Sequence, residues 1–531
     1  MELDKDIRST QEVRDLVNKA KIAQLEFKHF NQSQVDKIVK AMADAGFADS
    51  ERLAKMANQE TGFGKWEDKV LKNQFGSRDV YESIKNLKTV GVIDVKESGK
   101  IVNIAEPMGV VAALIPSTNP TSTAFFKTLI SLKTRNSIVA SPHPKAVNCT
   151  SEAMKVMADA AVNAGAPKGL IQCMATPTLE GTDALMKHKD VAVILATGST
   201  PMVKAAYSAG TPAYGVGSGN VPSFIERSAN YEKAVLDIIA GTTFDNGTLC
   251  SSEQAMIVDR PLLDKVRKFS EANGGYFVCE DEKRKLENAV LNEGKINPEI
   301  VGKPAQFIAK YAGFSVPDST KVLLADCIKV GKEEPLSAEK LSPILAFYTV
   351  DGWLEGCHKC IELLNFGGIG HTMSIHSGDQ EIIMKFALEK PAFRIIVNSA
   401  SSLGAVGYTT ALDPSMTLGV GTWGGSIISE NVTAKHLMNI KTLAFEVTPL
   451  NKGASINSLG SSQIGTSNIS EGSFIQQIED RLRARAGNPV FRNTGSKNND
   501  KSVNIDNGNK FGSGISESEV QRIIREFSSE N

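Results

Sequence analysis

Apolar residues recur at helical spacing near the start of the chain. Within 9–58, Val13, Leu16, Val17 and Ala20 lie three or four apart, as do Val35, Ile38, Val39 and Met42, so this stretch predicts helices. From 88 to 106 the period shortens to two. Val90, Ile93 and Val95, then Ile101, Val102 and Ile104, flank Glu97-Ser98-Gly99-Lys100, the pattern of a β-hairpin. The run from Gly109 to Ile115 is apolar throughout and stops at Pro116, as a parallel strand buried on both faces does. A helix over 122–132, a strand over 137–140, a helix over 149–164 and strands over 169–173 and 191–195 follow. This alternation predicts a doubly wound α/β domain over 1–223. A second α/β stretch over 224–425 has strands near 255–258, 322–324, 344–349 and 394–398, and 426–450 holds a last alternating strand over 441–447.

Beyond 450 the patterning stops. Residues 451–470 are rich in Ser, Gly and Asn, and 12 of the 23 residues over 491–513 are Asn, Gly or Ser, so both read as flexible linkers. Each precedes a short amphipathic segment. Phe474, Ile475, Ile478 and Leu482 share one face within 474–484, and Val520, Ile523, Ile524 and Phe527 share one within 515–527. Ser516 and Glu519 form a capping box for the second.

Composition narrows the function classes. The 531 residues carry 59 Lys+Arg against 60 Asp+Glu, and a net charge of −1 offers no global field for nucleic acid or an anionic membrane. No run of about 18 apolar residues suggests a membrane span, and the start lacks the basic-then-apolar pattern of a secretory leader. Seven scattered Cys do not form a disulfide framework. A cytoplasmic-type location is therefore expected.

Few residues carry chemistry on their own. In Asn246-Gly247-Thr248-Leu249-Cys250-Ser251-Ser252 a Cys follows a Gly-bearing turn and leads into a strand, which suits either a nucleophile or an inert thiol. Cys357-His358-Lys359-Cys360 has CxxC spacing but no second ligand pair, so it reads as helix surface rather than a metal site. Gly419-Val420-Gly421-Thr422-Trp423-Gly424 matches G-x-G-x-x-G by letter, yet follows Asp413-Pro414 rather than a strand. Thr197-Gly198-Ser199-Thr200 leaves a predicted strand and opens a helix, which suits a diphosphate or a plain helix cap.

Taken together, the segments resemble one family. Ile115-Pro116-Ser117-Thr118-Asn119-Pro120, Ser141-Pro142-His143-Pro144, Thr197-Gly198-Ser199-Thr200, the Cys250 loop and Glu339-Lys340-Leu341-Ser342-Pro343 occur in the order seen in aldehyde dehydrogenases, with Glu60-Thr61-Gly62 upstream and Trp423-Gly424-Gly425 downstream. The resemblance covers about 10–450. It is strongest to CoA-acylating members, including those of bacterial microcompartments and the first half of bifunctional aldehyde/alcohol dehydrogenases; the metal-binding second half of the latter is not expected here. It implies an aldehyde dehydrogenase-like fold: two doubly wound α/β domains, a β oligomerisation arm from the 88–106 hairpin and the 441–447 strand, and a flexible C-terminal tail. A homodimer or homotetramer is expected.

The resemblance also implies roles. Cys250 would be the nucleophile that adds to an aldehyde, and Asn119 with the Cys250 backbone N–H would stabilise the oxyanion. Glu339 would hold the nicotinamide ribose of NAD. Gly198, Ser199 and Thr200 would face its diphosphate, while Ser141 and Pro142 lie where the adenosine ribose is held. Ile115, Pro116, Ser117, Thr118 and Pro343 complete the cofactor set. His371, in Gly367-Gly368-Ile369-Gly370-His371-Thr372, falls in a loop shared with acylating members and would line the site or serve as a hydrogen-bonded loop histidine. Hydrolytic members carry a Glu that activates water, and the matching stretch here, Gly215-Val216-Gly217-Ser218-Gly219-Asn220, puts Val216 in its place. An apolar side chain takes no proton from water, which favours coenzyme A as the acyl acceptor. A small aldehyde, propionaldehyde or acetaldehyde, is the expected substrate. The alternatives are a hydrolytic NAD(P)-dependent enzyme and a catalytically idle assembly component. The tail resembles encapsulation peptides, so a microcompartment shell or cargo protein is an expected partner through 515–527, or else 474–484.

Overall fold

The computed structural model describes residues 4–96, 100–292 and 295–448. Two parallel sheets organise them. The first has five strands in the spatial order Ile171–Cys173, Ser137–Pro142, Val110–Ile115, Val191–Thr197 and Ala213–Val216. The chain builds outward from Val110–Ile115 in one direction, then returns to pair Val191–Thr197 on the other flank. That reversal opens a crevice at the carboxyl ends of those two strands, where open α/β sheets bind ligands. Every residue of Val110–Ile115 and Ser137–Pro142 is buried, as the continuous apolar runs require. Glu60 caps the helix Val147–Asn163: its carboxylate oxygens accept from the N–H groups of Asn148 at 2.8 Å and Cys149 at 2.7 Å.

The second sheet has seven parallel strands in the order Gly275–Phe277, Val322–Asp326, Ile344–Val350, Glu253–Asp259, Val221–Ile225, Gly370–His376 and Ala392–Val397. Separate apolar clusters cover its two faces, one including Phe224, Leu323 and Leu363 and the other Ile238, Val258 and Phe347. A third, antiparallel sheet joins Gly91–Lys96, Ile101–Pro107 and Met438–Ala444, with Ile101–Pro107 in the middle. This is a mixed α/β fold built on two parallel sheets. No helix among the described residues is long and apolar enough to cross a membrane.

Three expectations need correction. His371 lies in the strand Gly370–His376, not in a loop; the polar reading Gly-His-Thr-Met-Ser-Ile-His hides a strand buried at every position. Cys357 and Cys360 sit on the buried face of the helix Gly352–Phe366, not on its surface. The last strand, Met438–Ala444, begins three residues before the expected one. The linkers at 451–470 and 491–513 and the segments 474–484 and 515–527 lie outside the described residues.

Candidate active site

The cysteine loop begins where the helix Tyr231–Thr243 ends. Asp245, Asn246 and Gly247 then adopt left-handed backbone in succession, with φ of 47°, 52° and 76°. Two non-glycine residues in that region cost on the order of 1 kcal/mol each or more, so the turn persists only if its surroundings hold it. Asp245 supplies that hold. Its Oδ1 accepts from the Lys65 N–H at 2.7 Å, and its Oδ2 accepts from Lys69 Nζ at 2.8 Å, Thr248 Oγ1 at 2.7 Å and Lys72 Nζ. Burial alone would raise this carboxyl, but Lys72 and Lys69 outweigh it and keep Asp245 below the usual carboxylate range.

Cys250 follows this turn, half-buried, three residues before the central strand Glu253–Asp259. Burial pushes its thiol up to about 12 and the Glu339 carboxylate adds to the rise, while Arg394 and Lys72 oppose it. The resting sulfur is therefore a thiol, and becoming a thiolate requires a change in its surroundings when ligands arrive.

Asn119 is the N-cap residue of the helix Pro120–Lys133, which leaves the carboxyl end of Val110–Ile115. Its Oδ1 accepts from Lys72 Nζ at 2.5 Å. Its Nδ2 faces Thr118 Oγ1 at 3.1 Å and the Thr248 carbonyl at 3.4 Å, two residues before Cys250. The expected oxyanion donor and nucleophile are thus brought to one place. Ile115 and Ser117 are buried beneath them, and the Thr118 carbonyl accepts from Lys69 Nζ at 3.2 Å.

Glu339 enters from the other side. Its Oε1 accepts from the Gly219 N–H at 3.0 Å, and burial raises its carboxyl to about 7, against the pull of that N–H and of Ser218. Gly219 leaves no room for a side chain: a Cβ there would stand 2.2 Å from the Cys250 carbonyl oxygen and 3.1 Å from His371 Nδ1. One glycine thereby joins Glu339, Cys250 and His371. Burial, with Arg394 adding, lowers His371 to about 3, so its imidazole is neutral. Arg394 Nε donates to Thr372 Oγ1 at 3.2 Å, and Thr372 Oγ1 lies 2.9 Å from His371 Nδ1. His371 Nε2 is buried without a hydrogen-bond partner among the described residues.

The cofactor-side residues lie along the carboxyl edge of the five-stranded sheet. Ser199 caps the helix Thr200–Tyr207 without a side-chain bond to its N–H groups, and a Cβ on Gly198 would meet nothing closer than Met202 at 3.9 Å. This open, uncapped end beside the crevice fits the diphosphate of a dinucleotide. Thr200 Oγ1 donates to Ser218 Oγ at 3.3 Å, next to the glycine held by Glu339. Ser141 and Pro142 end their strand, with the Ser141 hydroxyl 2.8 Å from that of Thr182. Pro343 is buried before the strand Ile344–Val350. Val216 is buried in the apolar cluster at the end of Ala213–Val216, with no polar group to offer a water.

Arg394, Lys72 and Glu253 are the residues that sequence reasoning missed. For Arg394 a signal existed: along Ala392–Val397 the alternate residues 392, 394 and 396 point inward, so an arginine occupies a core position. Glu253 is buried, with Oε1 accepting from the Ser401 N–H at 2.5 Å and Oε2 without a partner among the described residues; burial raises it to about 8. Its folded-state value lies above its unfolded one, so its contribution to stability is complete below about pH 4.5 and is lost as pH rises towards 8. Glu253→Gln should flatten that decline, and thermal unfolding of both proteins from pH 4.5 to 8.5 checks it: parallel curves would refute the assignment.

Comparison with known proteins gives the family of this fold. Residues 6–273 match the model of the aldehyde dehydrogenase family, to which the chain belongs. It is 45% identical over 444 residues to the bifunctional aldehyde-alcohol dehydrogenase AdhE of Escherichia coli K12, covering 82% of this chain and 50% of AdhE. The chain thus spans about half the length of the first curated relatives it matches. An acetylating aldehyde dehydrogenase from Geobacillus thermoglucosidasius superimposes with a TM-score of 0.84 at 51% identity, covering 85% of this chain and 99% of that one. A propionaldehyde dehydrogenase from the fucose-utilisation microcompartment of Clostridium phytofermentans gives 0.74 at 28% identity, covering 82% and 97%.

Proposed function

We propose that the chain oxidises a small aliphatic aldehyde, propionaldehyde or acetaldehyde, to its coenzyme A thioester with reduction of NAD. The observation that carries this reading is the meeting of Cys250, Glu339 and His371 at Gly219, with Asn119 Nδ2 reaching the Thr248 carbonyl of the same cysteine loop and an apolar Val216 in place of a water-activating acid. With the thiol proton released to solvent water, the Cys250 sulfur adds to the aldehyde carbon, forming a C–S bond as the carbonyl becomes the alkoxide of a thiohemiacetal. Asn119 Nδ2 and the Cys250 N–H stabilise that oxyanion. Glu339 would hold the ribose of NAD, which when bound would supply the hydride acceptor; the adduct carbon, losing a hydride, becomes an acyl-thioester on Cys250. The thiolate of coenzyme A then attacks the acyl carbon, the bond to Sγ breaks and Cys250 is regenerated. His371 lines this site as a neutral imidazole.

One observation favours hydrolysis as a second reading: Glu339 is a buried acid beside Cys250 that titrates near neutrality. Its Oε1 is committed to the Gly219 N–H, which favours the acyl-transfer role. Formation of NADH from propionaldehyde, with and without coenzyme A and with the product identified by mass, separates the two. Sustained turnover only with coenzyme A, yielding propionyl-CoA, is expected; equal turnover without it, yielding propionate, would establish hydrolysis.

The domain reading assigns 1–223 to NAD binding, 224–425 to catalysis and 426–450 to assembly. Exposed Ile440 and Leu443 in the third sheet, and Val447 just beyond it, support a homodimer or homotetramer. The amphipathic segments 515–527 and 474–484 would dock to a microcompartment shell or cargo protein, a reading supported by their sequence pattern and by the likeness to a microcompartment enzyme.

A further inference from the structure

Lysine heads are rarely buried without a reason, and the helix Trp66–Gln74 buries two, Lys69 at 3% exposure and Lys72 at 5%. Both meet Asp245, but they differ in what else they touch. Lys69 Nζ reaches a backbone oxygen, that of Thr118. Lys72 Nζ reaches Asn119 Oδ1 at 2.5 Å and Thr248 Oγ1 at 3.2 Å.

The contact with Asn119 settles a question of orientation. A carboxamide has two ends of nearly the same shape and opposite hydrogen-bonding character. Turned one way, Asn119 offers an N–H towards the Cys250 loop; turned the other, it offers a carbonyl lone pair, which would repel a developing oxyanion. The Lys72 head donates and does not accept when charged, so Oδ1 is the end that faces it, and Nδ2 is left facing the loop. The same head binds Asp245, which fixes the turn carrying the cysteine. Donor and nucleophile are therefore referenced to one buried group.

We propose that Lys72 is a positioning residue for the first chemical step: by binding Asn119 Oδ1 it fixes the carboxamide with Nδ2 towards the oxyanion formed on the Cys250 adduct. The proposal rests on the reading of Asn119 as the oxyanion donor. It also predicts that the effect of Lys72 passes through Asn119 and not through the fold. Asp245 keeps Lys69 as a counter-ion when Lys72 is replaced, which preserves the turn.

The test is a double-mutant cycle on the full chain, read as the single-turnover rate of NADH formation from propionaldehyde. Lys72→Met should slow that step by about 10–100-fold, the scale of a misplaced catalytic group, with KM for coenzyme A unchanged. Lys72→Gln, whose amide still donates to Oδ1, should lose less, and it serves as the second variant should thermal unfolding show the Met protein to be unfolded. In an Asn119→Ala background either change should slow the reaction far less, by no more than the small effect of losing the Lys72 charge near the Cys250 thiol. An equal loss in both backgrounds, or full speed in Lys72→Met, overturns the proposal. A silent Asn119→Ala is a different failure: it overturns the oxyanion reading itself, and the Lys72 proposal with it.

Discussion

Cys250→Ala should abolish NADH formation and acyl-CoA formation together, by roughly 10⁴-fold or more, the scale on which enzymes lose rate when a covalent nucleophile is removed. The joint loss is the informative part. A thiol that merely packed beneath the site would leave hydride transfer running, whereas in the proposed mechanism both half-reactions pass through the same sulfur. The loop that carries it would survive the change, because its geometry depends on Asp245 and its lysines and on the Asn246 bond to the Gly302 carbonyl, not on the sulfur. Unaltered thermal unfolding alongside a dead enzyme is the expected pair of measurements. Substantial residual turnover would remove Cys250 from the mechanism.

Asn119→Ala should cost about 10²–10³-fold in kcat, equivalent to roughly 3–4 kcal/mol of transition-state stabilisation. Aldehyde binding should change far less, because the donor acts on a charge that exists only after the thiolate adds. Steady-state kinetics with the aldehyde varied at saturating NAD and coenzyme A reports the split. A rise in KM with kcat intact would recast Asn119 as a substrate-binding residue. The variant also leaves Lys72 facing a cavity, so its stability is worth measuring beside its rate.

Much of the sheet architecture was legible because both-face burial writes itself as unbroken apolar runs, as in Val110–Ile115 and Val191–Thr197. Strands that carry polar residues into the core escaped. Gly370–His376 reads as a glycine-rich loop, yet its histidines, threonine and serine are all buried. Val221–Ile225 contains Pro222 at a register shift against Glu253–Asp259, and a proline argues against a central strand when only the sequence is available. The site followed the same division. Cys250, Asn119 and Glu339 belong to ordered motifs, and the structure brings each to the cysteine loop. Lys72 was invisible because hydrophobic periodicity treats a lysine as surface, and the helix Trp66–Gln74 instead turns Lys69, Lys72 and Asn73 inward. The facing Asp245, far along the chain, explains the two lysines, and Ser50 with Thr121 explains the asparagine.

The third sheet has a consequence for how the protein is made. Its central strand, Ile101–Pro107, is paired on one side by a near neighbour and on the other by Met438–Ala444, and the ion pair between Glu106 and Lys441 links residues 335 apart. At about 5–20 residues per second of synthesis, that strand waits on the order of tens of seconds for its second partner. Throughout that interval a nascent chain presents an open β edge, and any other copy emerging nearby offers strands of the same sequence. Synthesis rate and the local density of ribosomes therefore bear on the yield of correctly closed protein, independently of the stability of the finished fold.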